Sequence, residues 1–83
     1  METTDKYSTQ EKIAIDIEKL ENNLKEVDNI EFNKKEMEVY KRALDYMNDS
    51  KYYLNQNELR TAFGCIEYSH GLLDALRMIY GLI

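Results

Sequence analysis

Residues 62–83 read AFGCIEYSHGLLDALRMIYGLI, and this stretch decides the fold. Ala62, Ile66, Ser69, Leu73, Leu76, Tyr80 and Ile83 recur at alternating intervals of four and three. That rhythm returns to one side of an α-helix at every turn, which predicts a helix over about 58–82. Fourteen residues between 62 and 83 are apolar, and the three glycines of the chain, Gly64, Gly71 and Gly81, lie among them. A helix that is apolar beyond a single stripe calls for cover on more than one side.

Three readings account for the excess. A membrane-spanning segment of roughly twenty residues is long enough. It would bring Glu67, His70, Asp74 and Arg77 to mid-depth, at about 2.5–3.5 kcal/mol for each charged residue. Burial between two other helices carries no such cost. A self-association face is compatible with that burial and adds to it.

Upstream, the chain supplies the two other helices. Ser8 followed by Glu11 is a capping-box pattern, in which side chain and backbone satisfy each other's free amides at a helix start. Ile13, Ile17, Leu20, Leu24 and Val27 then follow with intervals of four and three, predicting a first helix over about 9–28. Asn33 with Glu36 repeats the capping box. Met37, Tyr40, Leu44, Met47 and Leu54 form the seam of a second helix over about 34–55. Lys51 falls on that seam, so Ser50 or Tyr53 is expected to share the contact while the Lys51 ammonium reaches water. Ile30 and Phe32 are expected to plug one end of the assembly. Asn57 is the expected N-cap of the third helix.

Short connections make neighbouring helices antiparallel. The expected fold is all-α, an up-and-down antiparallel three-helix bundle occupying residues 8–83 as one domain, behind a frayed tail at 1–7. The absence of proline in 83 residues agrees with long uninterrupted helices.

Charge narrows the function. Eleven basic and sixteen acidic residues give a net charge of −5, and no basic stripe exists. Nucleic-acid binding depends on neutralising several phosphates, so no nucleic-acid partner is expected, and no anionic membrane surface. The polar, acidic opening Met1-Glu2-Thr3-Thr4-Asp5 is neither a signal nor a transit peptide, which makes a cytoplasmic protein the default expectation. One cysteine and one histidine leave no internal disulfide, no multi-cysteine zinc site and no two-histidine cage. No catalytic residue, resident metal or cofactor is therefore assigned.

The stretch Tyr52-Tyr53-Leu54 together with Arg60 to Ala75 resembles a small archaeal family known only as domain of unknown function number three-five-seven. The specific part is an Arg-Ala-Phe-Gly-x-Ile-x-Tyr-x-His-Gly-x-Leu-Asp-Ala run. Here Thr61 stands between Arg60 and Ala62-Phe63-Gly64. The resemblance covers roughly residues 35–80, with the first helix weaker. It implies an archaeal source and an up-and-down three-helix bundle, and it implies no reaction, substrate or cofactor.

Two sets of residues are candidates for function. Glu67, His70, Asp74 and Arg77 are spaced three, four and three apart and share one face of the third helix. Glu67 and His70 form half of the Glu-x-x-His pattern of di-metal carboxylate bundles, so a metal would require a symmetric dimer. The stronger reading of the same residues is that they pair with one another at helical spacing, Glu67 with His70 and Asp74 with Arg77 or His70. Gly64 and Gly71 lie on one line of the helix with Ala75 beyond them. Each mid-helix glycine costs about 1 kcal/mol relative to alanine, so close approach by a neighbouring helix or an aromatic ring is expected, inside the chain or at an interface. Tyr53 and Tyr68 join that set, because tyrosine combines a buried ring with a polar tip and is common at interfaces. Cys65 reads as a small buried hydrophobe. The expected function is a protein–protein interaction or self-association module, with a homo-oligomer or a helical protein as partner. The alternative is a metal- or small-ligand-binding protein or enzyme centred on the polar cluster.

Overall fold

The computed structural model describes residues 8–83. The tail at residues 1–7 lies outside them. The fold is all-α, with three helices and no strand among the described residues: α1 (Thr9–Lys25), α2 (Lys34–Asn55) and α3 (Leu59–Ile79).

Both capping boxes form. The Ser8 hydroxyl accepts from the Glu11 backbone amide at 3.2 Å, and the Glu11 carboxylate accepts from the Ser8 amide at 2.8 Å. Hydrogen bonding to the carboxylate, first from the Ser8 backbone amide and then from the Ser8 side chain, holds the Glu11 carboxyl below its ordinary range. A depressed carboxyl contributes stability above its unfolded pKa, and the contribution fades as pH falls through the folded value. At α2, Glu36 accepts from the Asn33 amide at 3.0 Å and returns its own amide to the Asn33 side chain at 2.8 Å. Asn33→Ala is expected to lower stability by about 1 kcal/mol, read as a shift in a urea melt with unchanged slope.

The core follows the predicted stripes on α1 and α3. Ile13, Ile17, Leu20, Leu24 and Val27 are all buried, as are Ala62, Ile66, Ser69, Leu73 and Leu76. On α2 the seam is displaced. Ala43, Met47 and Ser50 are its buried residues, whereas Met37, Tyr40, Leu44 and Leu54 are only half-buried. The reason is how α2 meets α3. The Ser50 hydroxyl donates to the Ala62 carbonyl at 2.7 Å, and the Ser69 hydroxyl donates to the Ala43 carbonyl at 2.6 Å. Two Ala-plus-Ser pairs, each seven residues apart, thus face one another reciprocally, and small side chains let the backbones come within reach of a hydroxyl. Lys51 lies outside this line, and its ammonium meets Glu21 at 2.7 Å.

The helix ends differ from expectation in three places. α1 stops at Lys25 rather than near 28, because Glu26 and Val27 bond back only three residues, to Asn23 and Leu24. The chain tightens into turns there while still burying Val27. Asn57 is not the N-cap of α3. It takes φ +60°, its amide bonds Leu54, and the Glu58 amide bonds Tyr53, a Schellman closure of α2. Its side chain accepts instead from Gln10 at 3.1 Å. α3 ends at Ile79 with the same closure on Gly81 (φ +71°), where Leu82 bonds Arg77 and Gly81 bonds Met78. Tyr80 and Ile83 consequently leave the buried stripe.

Phe32 packs at the end of the core, with ring centroids 5.2 Å from Tyr40 and 5.8 Å from Tyr80. The Tyr80 hydroxyl donates to Glu36 at 2.5 Å, tying the end of α3 to the start of α2. That hydrogen bond is the main reason the phenol pKa is raised.

α3 keeps one side uncovered within the chain, although its apolar excess called for cover on more than one side. Phe63 and Tyr68 are each 50% exposed, Met78 66% and Ile79 64%. Two neighbouring helices cover one arc of α3, and the opposite arc keeps its apolar side chains in water.

Candidate functional site

α3 carries both candidate sets on different arcs. His70 and Arg77 point toward α1. The His70 Nε2 lies 2.8 Å from the Asp16 carbonyl oxygen. A carbonyl only accepts, so Nε2 carries the proton in this contact. Arg77 is the most enclosed charged group of the set, its side chain 13% exposed. It donates from Nη1 to Asp74 at 2.8 Å, and from Nε and Nη2 to the two Glu26 oxygens at 3.2 and 3.4 Å. Burial opposes its charge, but the bonds to Asp74 and Glu26 prevail and raise its pKa.

The four residues therefore do not converge on one point. His70 and Arg77 stitch α3 to α1, and Asp74 braces Arg77. Glu67 is exposed and has no polar partner among the described residues. Ser69, adjacent in sequence to His70, is turned away onto the Ala43 carbonyl and is no nucleophile for it. Among the described residues no three histidine, cysteine, aspartate or glutamate side chains gather around a point fit for a cation.

The second set occupies the outward arc. Gly64, Gly71 and Ala75 are exposed. A Cβ built at Gly64 or Gly71 meets nothing within 4 Å, so neither glycine serves close packing inside the chain. No ring comes within 4 Å of where a Cβ would stand at either glycine. Tyr46 and Tyr68 stack edge-on at 4.6 Å, and Tyr52 and Tyr53 at 5.2 Å. Tyr53 sits on α2 at the margin of the core, apart from the α3 arc. Beside Gly64 an open groove of about 450 Å³ is lined by Tyr46, Thr61, Gly64, Cys65 and Tyr68. Cys65 is half-buried there, and burial, then the charge of Asp49, pushes its thiol pKa up, away from a reactive thiolate.

Arg60, Phe63 and Met78 belong to or border this arc, and none of them was among the site residues expected from the sequence. Their signal was available, since at 100° per residue Arg60 and Met78 lie nearly opposite the buried line and Phe63 borders the arc, 100° round from Ala62. The arc combines apolar rings, two glycines and only two unpaired charges, Arg60 and Glu67. No described helix is long and apolar enough to cross a membrane.

These features define a small all-α, three-helix domain with a stapled core and one open, largely apolar helix face. A family model described as "Protein of unknown function (DUF357)" matches residues 16–82, and the chain belongs to that family. The match begins within α1, further upstream than the resemblance read from the sequence. A comparison with curated proteins gives no match.

Proposed function

We propose that this domain is a protein–protein interaction or self-association module that works through the outward arc of α3. The observation that carries the reading is the unspent apolar surface there. Phe63, Tyr68, Met78 and Ile79 remain at least half exposed on a helix whose other side is fully packed. Two exposed glycines strengthen it, because each costs helix stability without helping the chain's own packing. The net charge of −5 favours a protein over a nucleic acid as partner.

The up-and-down antiparallel path belongs to the same reading. Ser50 with Ala62 and Ala43 with Ser69 run in opposite order along α2 and α3, while Asp16 with His70 and Glu26 with Arg77 run in the same order along α1 and α3. That order supports helices alternating in direction, with α3 at one side and its outer arc free. The polar cluster gains no support as a ligand site, because α1 already holds two of its four members.

A photoreactive residue at position 71 of the full chain, in the native host, tests the reading. Position 35 is the control, on a lysine whose side chain is 88% exposed. A specific cross-linked protein species from position 71 alone is expected. Equal labelling from both positions would overturn the proposal.

A further inference from the structure

We infer that the occupant of the α3 face is a second copy of this chain, docked antiparallel across Phe63 and Gly64, so that Arg60 of each copy meets Glu67 of the other. This inference rests on the reading above and deepens it.

The charges select the occupant. Arg60 and Glu67 are the two unpaired charges on the outward arc, opposite in sign and seven residues apart, which places them about two turns from each other on one face. At that separation they do not reach one another within the helix. Any partner that buries the arc must answer both charges or leave them without water. A second copy crossing in parallel stacks Arg60 on Arg60 and Glu67 on Glu67. A second copy crossing antiparallel, with its two-fold axis between residues 63 and 64, satisfies both at once, because 60 then lies opposite 67 and 67 opposite 60. The surface is self-complementary in the sense an isologous dimer requires.

The same axis accounts for what surrounds the charges. It brings the half-exposed Phe63 rings of the two copies together. It also sets Gly64 against the partner's Gly64 where the helix axes come closest, and a position with no side chain allows that approach. Tyr68 and the rim of the adjacent groove lie at the flank of the contact.

Sedimentation of the full chain with Arg60→Glu, Glu67→Arg and an equimolar mixture of the two tests the register. The unaltered chain is expected to dimerise reversibly. Each single reversal turns two attractions into two repulsions and is expected to weaken association about tenfold or more. The mixture is expected to recover it as a heterodimer, since one chain then carries two acids and the other two bases. Both altered positions, 60 and 67, are exposed, so circular dichroism should show unchanged helix content. A chain that stays monomeric at every concentration overturns the inference. So does a dimer indifferent to both reversals, or a mixture no tighter than the single variants. If position 71 cross-links to a different protein and never to a second copy, the inference fails while the docking reading stands. If position 71 cross-links to nothing, both fail.

Discussion

Leu73→Ala is expected to lower the melting temperature by roughly 10–30 °C, the largest effect of any single substitution considered. Leu73 is completely buried on α3, in line with Ile66 and Leu76. Truncating such a leucine removes transfer free energy and leaves a cavity, about 2–5 kcal/mol together. A chain of this length has a total stability of about 4–12 kcal/mol, so the loss approaches the whole. For a domain of this size each kcal/mol moves the midpoint by about 4–8 °C. Met78→Ala on the same helix is the control. Met78 is 66% exposed, so the change should leave the melting temperature of the dilute chain within a few degrees. Thermal melts followed by circular dichroism check both. A loss at Leu73 no larger than at Met78 would mean that α3 does not pack through the Ala62–Leu76 line.

The second large effect concerns the contact between α2 and α3. Ala62→Leu and Ala43→Leu are each expected to cost about 1–3 kcal/mol, and to cost similar amounts. Both alanines are fully buried, and the carbonyl of each accepts a serine hydroxyl from the opposite helix at 2.7 Å or less. A leucine at either site must push the backbones apart, and separation breaks the serine hydrogen bond at that site. Serine hydroxyls left buried without an acceptor add their desolvation to the loss. Ala75→Leu, on the exposed arc of α3, should be tolerated by the isolated chain. Denaturant melts of the three variants decide the matter. If Ala43→Leu is as mild as Ala75→Leu, the reciprocal close contact is not what joins these helices.

Those two sites show how legible the protein was. Ala62 and Ser69 stood on the predicted stripe of α3, and the hydrophobic period placed them inside correctly. On α2 the same reasoning chose the larger residues Tyr40, Leu44 and Leu54 and passed over Ala43. A period weighted by size assumes that the largest side chains point inward. It fails where two helices come close, because the innermost positions must then be small. Lys51 on the expected seam was the sign that the line ran elsewhere, and Ser50 beside it was the residue that fills the contact.

The candidate sites divide in the same way. The spacing of Glu67, His70, Asp74 and Arg77 placed them near one another on α3, but nothing local distinguishes a ligand-binding cluster from a helix staple. The distinction lies in Asp16 and Glu26, 54 and 51 residues away, which take up His70 and Arg77. Gly64 and Gly71 were expected to admit a neighbour. Within the chain none arrives, and the glycines are left on an open arc with Phe63.

By itself the sequence determined the number of helices, both capping boxes and the buried stripes of α1 and α3. Each of these is set by residues no more than four positions apart, through hydrogen bonds and side-chain directions that a single turn specifies. Only the tertiary structure decided the seam of α2, the Schellman closures at Asn57 and Gly81, the partners of His70 and Arg77, and the uncovered side of α3. Each of those depends on where a distant helix lies, and a periodic pattern says which way a side chain points without saying what meets it there.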